Sequence, residues 1–217
     1  MKRKAFCICL SICLACLSMA FLETVVRPGY VLKSAGKLAL FLGTVWYFGG
    51  ARGMVRREGL GAALALGAGI FGVILGAFFL FRPWLDLGTL ASGLQAKEGI
   101  CRENFLWAAL YISLINSGLE ELLFRGVGYL RLRGCAGEGF AMVFSAAAFA
   151  AYHIAILEGW FYWWVRLLCL LGLFAGGLIF NWLDRRGSIL PGWLAHAAAN
   201  LAINTIGAMM YGFVPVP

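Results

Sequence analysis

The chain has 217 residues, of which 62% are apolar or aromatic and only 13% charged. Its mean hydropathy is +0.86, and the apolar share exceeds the roughly 45–50% of an ordinary soluble domain even before glycine is counted. These values exclude a disordered chain, a soluble enzyme and a nucleic-acid-binding domain. The surplus of 18 Lys and Arg over 10 Asp and Glu is therefore read as membrane topology rather than as attraction to an acidic partner.

A helix needs about 20 mostly apolar residues to cross a bilayer. In chain order the expected spans are 5–22, 35–50, 60–81, 105–123, 139–157, 160–181 and 189–213. The first opens on Lys2-Arg3-Lys4, and Ser18-Met19-Ala20 offers a small-x-small cleavage site. It is read as a retained anchor, with a cleaved signal peptide as the alternative. Its Cys7, Cys9, Cys13 and Cys16 are read as small packing residues, not a redox motif. The second span is short and carries Lys37, the weakest of the set. Breaks fall at Arg27-Pro28-Gly29, Arg52 to Glu58, Arg82-Pro83, Arg131 to Gly137 and Asp184 to Gly187. Trp160-Phe161-Tyr162-Trp163-Trp164 reads as an interfacial aromatic belt. The expectation is an all-α, polytopic transmembrane bundle of about seven spans, forming one membrane domain over 1–217.

With the N-terminus inside, eleven Lys and Arg fall in inner segments against six in outer ones. The positive-inside rule then favours that orientation. No nucleic-acid partner is implied; the lipid bilayer is.

Ionisable groups at membrane depth are costly, which makes each one a candidate for function. The two histidines of the chain, His153 and His196, both lie inside expected spans, as do Glu120 and Glu121. At helical spacing Glu121 and Arg125 share a face and can pair, leaving Glu120 pointing elsewhere for chemistry. Asn116 lies one turn before Glu120. Phe149 precedes His153 by one turn, within a run of alanines that allows close helix approach. His196, Asn200 and Asn204 follow at successive i, i+4 steps. A lone histidine or asparagine on such a helix is more often structural; their joint occurrence shifts the balance toward a site.

Glu120-Glu121-x-x-x-Arg125, Phe149-x-x-x-His153 and His196-x-x-x-Asn200 resemble, in order and spacing, the motifs of the CPBP intramembrane proteases. That family includes the Rce-type CAAX prenyl endopeptidases and bacteriocin-processing and immunity relatives. The stretch from Phe174-x-x-Gly177 through Asp184 to Ile189 resembles the family's linking motif. The resemblance covers about 105–205, the expected protease motif core; the first hundred residues match only in being hydrophobic.

The resemblance implies a helical, CAAX-protease-like fold with its site inside the bilayer, open to the cytosol. It implies an endopeptidase acting on a membrane-associated protein or peptide in a bacterial or archaeal cell membrane. Glu120 and His153 would activate water, and His196 and Asn200 would stabilise the oxyanion. Glu121, Arg125 and Phe149 would support them. No cofactor is expected, because the histidines lack the compact spacing of a zinc motif; a zinc enzyme is the runner-up. The alternative function is a non-catalytic scaffold or immunity protein of the same fold, dependent on packing at Gly172-x-x-x-Gly176. An ion carrier would show inverted repeats, and none is visible.

Overall fold

The computed structural model describes residues 2–57, 59–159 and 162–215. Glu58, Trp160 and Phe161 lie outside the described residues, and with them part of the expected aromatic belt and the start of the sixth expected span. Among the described residues all regular structure is helical. Helix α1 covers Lys2–Phe21 and ends in a π-helical turn, Leu22–Val26. It is followed by α2 (Tyr30–Tyr47), α3 (Leu60–Phe81) and α4 (Leu87–Glu98). Helix α5 runs over 105–136 and contains two π-helical stretches, Tyr111–Asn116 and Glu121–Arg131. Then come α6 (Glu138–Ile156), α7 (Trp163–Asp184) and α8 (Leu190–Met210).

Among the described residues, four helical segments are long and apolar enough to cross a membrane: Lys2–Val26, Leu60–Trp84, Glu138–Ile156 and Trp163–Asp184. The chain is an integral membrane protein. The other three expected spans are helical as well, but they do not meet that standard of length and apolarity. In α2 the lysines lower the hydropathy; in α8 His196, Asn200 and Asn204 do.

Helix α4 was read from sequence as part of a loop. Its start is fixed by Asp86, whose Oδ1 accepts from the Gly88 and Thr89 amides at 3.0 and 3.1 Å. Thr89 Oγ1 also donates to Asp86 Oδ2 at 2.6 Å, and these bonds hold the exposed carboxyl below its ordinary range. Side-chain capping satisfies amides that the first turn leaves without partners. The helix ends at Gly99, in a left-handed conformation with φ 66° that glycine adopts without penalty.

The chain divides into two compact units, 1–60 with 119–192, and 61–118 with 193–217. In the first, lipid offers no hydrophobic drive for helix association, so packing and polar pairs hold the helices together. Phe41, Phe124, Phe149 and Tyr152 form an aromatic cluster, with ring centroids 5.5–6.0 Å apart along its edges. Edge-to-face pairs of this kind contribute about 0.5–1.5 kcal/mol each. Ile8, Ile12, Val45, Leu123 and Val127 close the core around them.

Helices α6 and α7 cross closely at Gly177, where a Cβ would lie 2.9 Å from Ala146 Cα. Cβ atoms at Gly172 and Gly176 would meet nothing within 4 Å, so the packing expected at that pair belongs to Gly177. Beside the crossing, Ser145 donates to the Phe124 carbonyl at 2.8 Å and Asn181 to the Met142 carbonyl at 2.9 Å.

Three loops of the first unit are tied together by arginines. Arg56 donates to the Arg186 carbonyl at 2.7 Å, Arg133 to the Arg185 carbonyl at 2.7 Å and Arg131 to the Gly50 carbonyl at 2.6 Å. Ser188 Oγ accepts from the Arg56 amide and donates to the Arg56 carbonyl.

In the second unit, α8 packs on the first part of α5. Gly67 of α3 approaches the same helix, where a Cβ would stand 3.1 Å from that of Ala198. Asn204 Nδ2 donates to the Ala109 carbonyl at 3.1 Å and to Ser113 Oγ at 2.9 Å. Trp193 Nε1 reaches the Leu114 carbonyl at 3.1 Å. A π-helical stretch interrupts the ordinary i→i+4 ladder, and side chains of α8 thus bond carbonyls in and beside the one at Tyr111–Asn116.

Candidate active site

Glu120 lies in the first unit and is 2% exposed. Lys37 of α2 donates to its Oε1 at 2.5 Å. The Lys37 ammonium also faces the rings of Tyr152, at 4.8 Å, and Phe41, at 5.3 Å. The sequence reading placed Lys37 as a flaw in a span; it is the counter-charge of Glu120. Its position could have been found only from the cost of an ammonium in hydrocarbon, which demands a partner without naming it.

The other oxygen of Glu120, Oε2, stands 3.9 Å from His153 Nε2. His153 Nδ1 is 2.8 Å from the Phe149 carbonyl. A carbonyl can only accept, so Nδ1 carries the proton and Nε2 presents a lone pair in the neutral ring. One water, at ordinary hydrogen-bond lengths, can touch both Glu120 Oε2 and His153 Nε2. Two proton acceptors thus converge on the same small volume.

Glu121 and Arg125 are both fully buried and pair at 3.2 Å. The Arg125 guanidinium lies over two rings, 4.2 Å from the centroid of Phe149 and 5.1 Å from that of Phe180. Phe149 therefore does two things: its ring meets Arg125 and its carbonyl orients His153. Asp184, the last residue of α7, is also fully buried. It lies within electrostatic reach of Glu121 and Arg125, and its Oδ1 accepts from the Gly192 amide at 2.8 Å. There is no room for a Cβ at Gly192, which would sit 2.5 Å from Asp184 Oδ2. The sequence marks Asp184 as part of a break between spans and of the linking stretch, without naming its partners.

His196 and Asn200 belong to the second unit. His196 is buried on α8, and Asn200 follows one turn later. Asn200 Nδ2 donates to the Ile112 carbonyl at 3.1 Å. An amide nitrogen carries two protons, so this bond fixes the side chain and leaves one N–H for another acceptor. Within the first unit the structure brings together Glu120, His153, Phe149, Glu121 and Arg125; His196 and Asn200 are set on one helix of the second.

Residues 102–202 match a family described as type II CAAX prenyl endopeptidase Rce1-like. Over that segment the chain is similar to the CAAX-protease family. Among curated proteins and solved structures, none matches. The matched segment holds every motif residue named from the sequence, whereas Lys37 lies outside it.

Proposed function

We propose that the protein is an intramembrane endopeptidase that hydrolyses a peptide bond of a membrane-associated protein or peptide. The observation that carries the mechanism is the pair formed by Glu120 Oε2 and His153 Nε2, 3.9 Å apart, with the histidine tautomer set by the Phe149 carbonyl. Water held between them gives up a proton to this pair as its oxygen attacks the scissile carbonyl carbon. The carbonyl π electrons move onto oxygen, and the motif resemblance gives His196 and Asn200 the role of donors to that oxyanion. On collapse the carbon–nitrogen bond breaks, and the proton held by the Glu120–His153 pair passes to the leaving amine. A base within reach of the water and donors aimed at the developing charge are what amide hydrolysis requires.

A metal-free reading fits the donor set. Catalytic zinc takes three protein ligands, often from a compact motif, and the two histidines of the chain lack that spacing. One oxygen of Glu120 already carries the Lys37 ammonium. The orientation with the N-terminus inside belongs to the same proposal.

The test uses the purified full chain in lipid nanodiscs, with a farnesylated peptide ending in a CAAX sequence as the probe. A comparison of membrane-fraction peptides between wild-type and Glu120→Ala cells runs beside it. Cleavage should fall at least about a thousandfold in Glu120→Ala and His153→Ala, and roughly 100-fold or more in Asn200→Ala, the scale of losing one oxyanion donor. Folded protein should be retained in each. Full activity in Glu120→Ala sinks the Glu120–His153 mechanism, and no cleavage by the folded wild-type protein leaves the scaffold reading. Activity lost to a chelator and restored by zinc overturns its metal-free form.

A further inference from the structure

We infer that Lys37 is a positioning residue for the proposed base: it keeps Glu120 ionised inside the membrane domain and turns its Oε2 toward His153. The inference rests on the endopeptidase reading above, but it concerns a residue outside the family-matched segment 102–202.

A carboxyl group taken out of water without a cation is driven to its neutral form. A neutral carboxyl is a poor proton acceptor, and the reaction needs an acceptor. Glu120 is 2% exposed, and the cation bonded to it is Lys37, at 2.5 Å to Oε1. That bond is made to Oε1, and Oε2 stands 3.9 Å from His153 Nε2.

The surrounding charges are few. From α1, Cys16 lies within electrostatic reach of both Glu120 and Lys37. From α6, His153 faces Glu120. On α5 the neighbouring Glu121 is directed to Arg125. Lys37 itself feels Glu23 and Lys33, which pair with each other at 2.8 Å. Glu23 and Lys33 thus offset each other, and Lys37 sets a positive charge directly on Glu120. The aromatic faces of Tyr152 and Phe41 hold the ammonium in place. Cation–π contact of this kind favours the charged amine after its water has been stripped away.

Two measurements on the full chain in nanodiscs test this. In the first, the infrared spectrum of wild type minus Glu120→Gln at neutral pH should show the carboxylate bands of Glu120 and no protonated C=O stretch. Lys37→Met should bring in a protonated C=O stretch that disappears in Lys37→Met/Glu120→Gln, and Lys37→Arg should retain the carboxylate. A protonated Glu120 in wild type at neutral pH, or a carboxylate in Lys37→Met, overturns the inference. The wild-type arm needs only Glu120→Gln to fold, and no arm needs a substrate.

In the second, cleavage of the farnesylated probe is followed against pH. For Lys37→Met the acid limb of kcat should move upward by about 1–3 pH units, the usual effect of an opposite charge at this range. KM should change little, and Lys37→Arg should restore most of the wild-type profile. A Lys37→Met enzyme that loses activity equally at every pH and is not rescued by arginine shows a structural role only. If Glu120→Ala cleaves the probe like wild type, the Glu120–His153 mechanism fails, and the infrared result still judges the hold of Lys37 on Glu120.

Discussion

An ionised side chain at the centre of a membrane helix costs about 2.5–3.5 kcal/mol, and Arg125 shows how this chain offsets it. The guanidinium is fully buried, pairs with Glu121 and lies over the rings of Phe149 and Phe180. Arg125→Met would leave Glu121 and Asp184 as buried acids with no cation between them. Stability should fall by about 3–5 kcal/mol, the cost of removing one partner of a buried pair, read as a lower unfolding midpoint in detergent. Adding Glu121→Leu should recover part of that loss, because an apolar pair of similar volume strands no charge. An unchanged midpoint in Arg125→Met would mean that these contacts contribute nothing. The Glu121–Arg125 pair could be read from sequence because both groups lie on one helix, where spacing dictates the meeting. The Lys37–Glu120 pair could not. It joins residues 83 positions apart, and periodicity along a helix carries no information about which other helix lies alongside.

Single residues act here through the elements that carry them. Small side chains along α6 announced a close helix approach, and the structure places that approach at Gly177 against Ala146. Gly177→Ala should destabilise the folded protein by about 1–3 kcal/mol, the usual cost of overpacking. Gly172→Ala and Gly176→Ala should be neutral or stabilising by up to about 1 kcal/mol, since alanine is the better helix former and both positions are open. Thermal unfolding of the three variants separates them. Equal tolerance at all three sites would show that the crossing is looser than described. Glycine spacing alone singled out the wrong pair, because Gly172 and Gly176 share a helix face whose partner the sequence does not name. Helix α4 escaped notice for a different reason. It is short and weakly apolar, and its signals are local: Asp86 and Thr89 at its start and Gly99 at its end.

At the scale of the whole molecule, the arginine surplus has a geometric counterpart. Arg56, Arg131 and Arg133 bond carbonyls of other loops, joining the segments around 50–56, 131–133 and 185–188. Segments so joined lie on one side of a membrane, and all three were assigned to the inner side by counting charge. In a variant lacking the native cysteines, Arg57→Cys and Arg186→Cys should therefore resist an impermeant maleimide in intact cells and react in inverted vesicles. Ser92→Cys should do the opposite. Reaction of Arg57→Cys and Arg186→Cys from opposite faces would break the topology. The helical class and the membrane setting were legible because composition alone determines the solvent. The number of crossings was not, because α2 and α8 carry the polar residues that a candidate site would use, and hydropathy counts those against a span.

The ion pair between α2 and α5 bears on how this protein could be shortened or grafted. A chain beginning at residue 102 would retain each motif by which its family is recognised. It would also lose the ammonium bonded to Glu120, together with Ile8, Ile12, Phe41 and Val45 from the core that surrounds it. Such a fragment would satisfy a motif search and still lack the group that balances its buried carboxylate. Transplanting the motifs into another helical bundle therefore calls for a cation delivered from a neighbouring helix.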